Sequence, residues 1–342
     1  ELSQAFTAYN TRIITPPMSD VKPTSPVRNK ILLIAFALGL IIPVAIIYAR
    51  ESLNTKVRGK KDLDRLVIPF VGEIPDCSPQ KSIIKTLLEK KDKNKKNIVK
   101  TRQYVIKEGS RDVVNEAFRV VRTNIDFMAK DKSKNTILFT SFNPGSGKSF
   151  IAANLGLSFA IKGKKVLIID GDLRHGSASA YVNCPSHGLC DYLSGSSNDW
   201  RKFVVKDSNY PNLQVLPIGK VPPNPTELLE EGNFERILQE ARPDYDYIFI
   251  DCPPIDILAD TQIIEKWTDR TIFVVRAGLM DRSMVPEIDK VYTSKKYKNV
   301  GLILNGTWGG GKYGYKYGYK YGYKYGYKYG YSYGHNYYGS EK

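Results

Sequence analysis

The sequence predicts an α/β fold, a parallel sheet with helices on both faces, with a membrane-crossing helix before it and a tyrosine-rich tail after it. Three observations carry this. An apolar run at 136–140 passes through a Gly-Lys-Ser loop into a helical stretch at 151–160. Two continuous apolar runs, 165–169 and 247–250, each end in an aspartate. Further apolar runs at 213–217, 270–275 and 300–305 alternate with helical patterns at 225–239, 259–267 and 283–294. Strands buried on both faces read as unbroken apolar runs, and strands alternating with helices build a parallel sheet.

Length and charge set the outer limits. At 342 residues there is room for one large domain plus extensions. Lys and Arg number 51 against 35 Asp and Glu, a net charge of +16, which suits an anionic partner: membrane lipid, nucleic acid or an acidic protein face. The four cysteines show no disulfide spacing and read as reduced thiols. The chain begins at Glu1 rather than Met, as expected of a piece of a longer protein.

Residues 1–30 are proline-rich and read as the end of an extracytoplasmic segment. Residues 31–48 are uncharged and almost wholly apolar. As a helix they would span about 27 Å, close to a bilayer core. They have no polar face for a soluble helix and no small-residue cleavage site for a signal peptide, so they read as transmembrane. Arg50, Lys56, Arg58, Lys60, Lys61 and Arg65 follow, which favours a cytoplasmic C-terminal side, although Arg28 and Lys30 precede the span. Residues 49–102 read as a basic juxtamembrane linker, whose stretch 81–102 suits either solvent or anionic headgroups.

A helix is expected at 113–128. Within it Glu116, Arg119 and Arg122 recur at i, i+3 spacing, a pattern that a solvated charged face also shows. Next comes the loop. Pro144, Gly145, Ser146, Gly147, Lys148, Ser149 and Phe150 join a buried strand to a helix, the order of a phosphate-binding loop. Its glycines let successive N–H groups curl around phosphate oxygens, and the helix N-terminus adds partial positive charge. Lys148 would reach the β- and γ-phosphates of ATP, and the Ser149 hydroxyl would hold Mg2+. The usual first glycine is replaced by Phe142. Asp170 and Asp172 close one apolar run and Asp251 the other, at the strand ends where ligands of open α/β sheets bind. With Ser149 these three carboxylates would make a hard-oxygen Mg2+ site.

From Lys312 the unit Lys-Tyr-Gly-Tyr repeats five times. Of the chain's 23 tyrosines, thirteen lie here: Tyr313, Tyr315, Tyr317, Tyr319, Tyr321, Tyr323, Tyr325, Tyr327, Tyr329, Tyr331, Tyr333, Tyr337 and Tyr338. With no aliphatic residue the tract cannot build a core. It reads as a sticky low-complexity tract, as a stacking platform for single-stranded nucleic acid, or as a set of phosphate acceptors. An ATP site on the same chain favours the last.

Taken together, the proline-rich entry to the span, Glu-x-x-Arg-x-x-Arg at 116–122, the loop at 141–149, Asp-x-Asp-x-Arg at 170–174, the strand ending at Asp251 and the terminal tyrosine cluster resemble the bacterial tyrosine kinases joined to polysaccharide co-polymerases, regulators of capsular and extracellular polysaccharide chain length. The resemblance implies a P-loop NTPase-like kinase domain at 103–311 and a substrate tail at 312–342. It implies an ATP- and Mg2+-dependent tyrosine autokinase, with Asp170 or Asp172 accepting the phenol proton and Asn305 facing adenine. It also implies a homo-oligomeric, octamer-like ring with Glu116, Arg119 and Arg122 at the subunit interface. The implied setting is the bacterial inner membrane, with kinase domain and tail cytoplasmic. The implied partners are the polysaccharide polymerisation and export machinery and a protein-tyrosine phosphatase, not nucleic acid. The related ATPases that position septa and partition plasmids carry a signature lysine where this loop has Asn143, which points away from the alternative of a membrane-tethered ATPase switch.

Overall fold

A computed structural model describes residues 27–77, 102–129, 131, 134–231, 233–255 and 259–307. Most of the proline-rich entry, the basic stretch 81–101, and the whole tail with its thirteen tyrosines lie outside the described residues.

The chain divides into two units, residues 1–54 and 55–342. The first holds helix α1, Arg28–Ser52, 25 residues with a most apolar window of mean hydropathy 2.8. At ~1.5 Å per residue it is long and apolar enough to cross a membrane. It runs past the expected 31–48 at both ends because Arg28, Lys30 and Arg50 are good helix formers once the apolar stretch has set the helix. Pro43 lies inside it without ending it.

The second unit is built on an eight-stranded sheet. Its strands are β1 Phe70–Pro75, β2 Thr136–Thr140, β3 Val166–Asp170, β4 Val205–Lys206, β5 Leu213–Leu216, β6 Tyr247–Asp251, β7 Arg270–Arg276 and β8 Gly301–Thr307. The order across the sheet is β1-β8-β7-β2-β6-β3-β5-β4. All pairings are parallel except β4 with β5. Every residue of β2, β3 and β6 is buried, as their unbroken apolar runs require.

Period two sorts these strands between two cores. On one face Ile137, Phe139, Ile168 and Phe249 meet helix α2 (Val113–Met128) through Phe118 and Val121, and helix α3 (Lys148–Ile161) through Leu155 and Phe159. On the other face Leu138, Leu167, Ile169 and Ile250 meet helices α4 (Leu189–Leu193), α5 (Pro225–Glu230), α6 (Asn233–Ala241) and α7 (Asp260–Glu265). A third cluster, with Phe273, Leu302 and Phe142, lies beside helix α8 (Val285–Thr293).

The structure departs from the expected elements in three places. The helix expected at 225–239 is two, because Gly232 interrupts it in sequence. Residues 70–75 were expected in the linker, yet they form the edge strand β1. A Cβ at Gly72 would stand 2.7 Å from Val121 Cγ2, so only glycine lets α2 lie on this strand. Asn124 Nδ2 then donates to the Val71 carbonyl at 2.7 Å. Finally, β4 and α4, between β3 and β5, had no counterpart in the predicted elements.

Candidate active site

The loop that leaves β2 is pinned from three sides. Phe142, in the place of the usual glycine, is buried with its ring 5.5 Å from that of Phe273. It anchors the loop's start in the core. The Ser141 and Ser146 hydroxyls both donate to the Asn143 carbonyl, at 2.8 and 2.7 Å. Arg276 Nη1 donates to the Gly145 carbonyl at 3.0 Å, and Asn305 Nδ2 to the Ser146 carbonyl at 2.9 Å. The loop carbonyls are thus taken up by these donors. Gly145 and Gly147 adopt φ of 76° and 92°. Gly147 is the N-cap of α3 and brings no side-chain cap. The first N–H groups of that helix therefore keep the capacity to bind an anion. Lys148 and Ser149, in the first turn, are both buried.

Asn305, expected to face adenine, stands beside the phosphate loop. Its amide nitrogen is committed to the loop, and a Cβ at Gly147 would run into it. Pro144 and Phe150 lie at the loop's tip and on α3, the Phe150 ring packing edge-on against Phe118 at 6.0 Å.

Asp170 and Asp251 close β3 and β6 and are register partners, so their side chains share a face of the sheet. Both are fully buried. Burial, followed by the charge of Asp251, raises the Asp170 pKa well above the carboxylate range. Burial also raises Asp251, but the Lys148 ammonium and the Ser149 hydroxyl hold it lower. Asp170 Oδ2 accepts from the N–H and hydroxyl of Ser179, at 2.6 and 2.7 Å. Asp170 Oδ1 is buried with no hydrogen-bond partner, and the two oxygens of Asp251 are buried with none in good geometry, although the Ser149 hydroxyl lies close by. Unpartnered buried carboxylate oxygens are costly, and a hard cation beside a serine hydroxyl supplies what they lack. The residues present therefore fit Mg2+.

Three carboxylates do not close into a cage as expected. Among the described residues no group of three His, Cys, Asp or Glu side chains is placed to hold a metal ion. Asp172 is drawn off by the His175 backbone N–H and ring Nδ1, each 3.2 Å from its Oδ1. Arg174, the last residue of that motif, reaches Asp260 Oδ2 at 3.3 Å and the Thr226 hydroxyl at 3.1 Å.

On α2, Arg119 pairs with Glu116 and donates to the Ser110 carbonyl at 3.0 Å, both on a half-exposed face. Arg122 instead turns inward, Nη1 donating to the Ser158 carbonyl at 2.7 Å. Of the expected interface trio, the structure leaves two on the outer face and ties the third to α3.

Sequence reasoning missed Ser179, Arg276 and Phe142 as site-building residues. Ser179 is nine positions past Asp170 and Arg276 131 positions past Gly145. No spacing rule links them.

Residues 134–278 match the AAA domain family. A putative tyrosine-protein kinase in the cps region of Klebsiella pneumoniae is 32% identical over 87% of this chain and 40% of its own length. The tyrosine-protein kinase YwqD of Bacillus subtilis is 37% identical over 56% of this chain and 81% of its own. The solved kinase domain of the Escherichia coli tyrosine kinase ETK is 26% identical, with a TM-score of 0.63 over 75% of this chain and 97% of that domain. The chain thus spans about two fifths of the longer relative and most of the shorter one.

Proposed function

The chain belongs to the bacterial tyrosine-protein kinase family, and from that premise we propose that it transfers the γ-phosphoryl group of ATP to tyrosine phenols of its own C-terminal tail. The observation that carries the reading is the pair of buried, partly unpartnered carboxylates, Asp170 and Asp251, beside Lys148 and Ser149 at the mouth of a pinned glycine loop.

The loop N–H groups and Lys148 bind the phosphates of ATP. Ser149 and Asp251 would hold Mg2+, with Asp170 directly or through water. When bound, the ion neutralises charge on the phosphate oxygens. A carboxylate of the 170–172 segment accepts the phenol proton while the phenol oxygen bonds to phosphorus and ADP leaves. Burial of these groups strengthens every charge interaction in the pocket, so catalysis is mainly positioning.

The tail is the favoured acceptor because its tyrosines are dense and tethered, which raises their effective concentration at a neighbouring subunit's pocket. Phosphorylation would replace neutral phenols with roughly −1.5 to −2 charge each and reverse the tail's sign. Helix α1 would anchor the unit in the bacterial inner membrane, with the kinase unit cytoplasmic, where ATP is. Glu116 and Arg119 would contribute to a ring of identical subunits. Regulation of capsular or extracellular polysaccharide polymerisation and export, with a phosphatase resetting the tail, is the role this assembly suits.

The test is incubation of the intact chain with labelled ATP and Mg2+, followed by mass spectrometry of the tail. Label on tail tyrosines in the wild type and none in Lys148→Met supports the reading. Release of free phosphate with an unlabelled tail establishes the ATPase switch instead.

A further inference from the structure

The turn after β3 folds back on the strand it has just left. Ser179 opens a short 3-10 turn, Ser179–Val182, and its N–H and hydroxyl converge on Asp170 Oδ2. The same hydroxyl oxygen accepts the N–H of Ile218, at 3.0 Å, just past β5. The polarity of this chain is set by its ends. The Ile218 N–H can only donate, so it occupies a lone pair of Ser179 Oγ, and the single hydroxyl hydrogen is directed to Asp170. The Ser179 N–H can also only donate. Asp170 Oδ2 is therefore a double acceptor with its capacity spent inside the protein. The other oxygen, Oδ1, is buried without a partner at the strand end that neighbours Asp251.

The relay is rigid. Ser179 is 2% exposed, and Ala178 and Tyr181 beside it belong to the core. Gly176, at φ 58°, makes the reversal, and a Cβ there would stand 2.8 Å from Ile218 Cδ1. A serine that merely tied the turn could bond any nearby carbonyl. This one instead joins β3, β5 and the working carboxylate through one side chain.

We propose that Ser179 is a positioning residue: by occupying Oδ2 of Asp170 it fixes the carboxyl so that Oδ1 alone is presented to the divalent cation bound with the nucleotide. The inference rests on the phosphoryl-transfer reading above for its site, but its calorimetric test does not depend on the acceptor. Ser179→Ala leaves Asp170 with one donor and free to rotate, and it removes the partner of the Ile218 N–H. Ser179→Thr keeps the hydroxyl.

The experiment uses the intact chain, with two readouts. In steady-state transfer, Ser179→Ala is expected to lower kcat by about tenfold while KM for ATP stays within about twofold. In calorimetry with ADP, its affinity without metal is expected to match the wild type, while the strengthening produced by Mg2+ falls by about tenfold or more, the size of one lost hydrogen bond to a charged group. Ser179→Thr restores both. Wild-type kcat in Ser179→Ala, an unaltered Mg2+ effect on ADP affinity, or a loss that Ser179→Thr fails to restore overturns the proposal. Should the alanine variant not fold, as judged by circular dichroism, Ser179→Cys, of similar volume with a weak donor, takes its place with the same outcomes. A wild-type chain that binds Mg-ADP yet labels no tyrosine refutes the kinase reading alone, and the calorimetric arm still decides for or against Ser179.

Discussion

Asn305, near the end of β8, donates its side-chain amide to the carbonyl of Ser146 at 2.9 Å across 159 residues of chain. It stands where a Cβ on Gly147 would have to be. One side chain thus holds the phosphate loop from the sheet and at the same time imposes glycine on its last position.

Removing this latch should loosen the loop without unfolding the sheet. Asn305→Ala forfeits a bond of about 1 kcal/mol, so ATP affinity should fall by roughly fivefold. Gly147→Ala should be worse, because φ of 92° costs a non-glycine residue about 1–2 kcal/mol in addition to the clash with Asn305. The clash is removed in the double variant, so a double-mutant cycle read by calorimetric ATP titration should show the two changes coupled, with the pair less damaging than their sum.

Asp251 is held in a buried place that disfavours its charge. Asp251→Asn should therefore raise the thermal midpoint of the nucleotide-free protein while lowering phosphoryl transfer by about a hundredfold or more. The measurements are a melting curve and an initial rate. A lower midpoint would show that the carboxylate stabilises the fold rather than serving the site.

Gly72 is the point at which α2 approaches the edge strand. Gly72→Ala forces a methyl to within 2.7 Å of Val121 and should cost about 1–3 kcal/mol in denaturant unfolding. Val121→Ala in the same chain should recover part of that loss, at the expense of its own cavity.

Acid should weaken a carboxylate clamp on α6. Glu240 accepts from Arg236 Nε at 2.8 Å, Trp200 Nε1 at 3.1 Å and Arg201 Nη1 at 2.8 Å. The Arg236 bond, then the Trp200 bond, pull its pKa from 4.5 to about 2. The folded value lies below the unfolded one, so the clamp's stabilisation is complete above pH 4.5 and is lost as pH falls towards 2. Glu240→Gln should flatten the stability profile across that window, as measured by unfolding midpoints at stepped pH. The clamp is largely open to solvent, so the effect should shrink in high salt.

What was legible in the chain was whatever is encoded locally. The apolar runs ending at Asp170 and Asp251 are strands because nothing polar interrupts them, and the Gly-x-Gly-Lys-Ser run announces a phosphate loop because its neighbours in sequence are its neighbours in space. The α2 boundaries, 113–128, were likewise local, and the structure adds the Asp112 side chain accepting the N–H groups of Val114 and Asn115 at its start. Strand β1 was not legible, since six residues among lysines and prolines look like linker until β8 is there to pair with them.

The sequence by itself determined the fold class, six of the eight strands, the apolar helix at the front and the candidacy of Lys148, Ser149, Asp170 and Asp251. Only tertiary structure decided how those groups are aimed. Ser179 occupies one oxygen of Asp170, Asn305 and Arg276 hold the loop carbonyls, His175 draws Asp172 aside, and Arg122 is spent on α3 rather than left on the outer face. The reason is physical: periodicity and propensity act over a few residues, whereas a hydrogen bond selects its partner by position in space, and the sheet brings residues 30 to 160 apart in sequence to within 3 Å of one another.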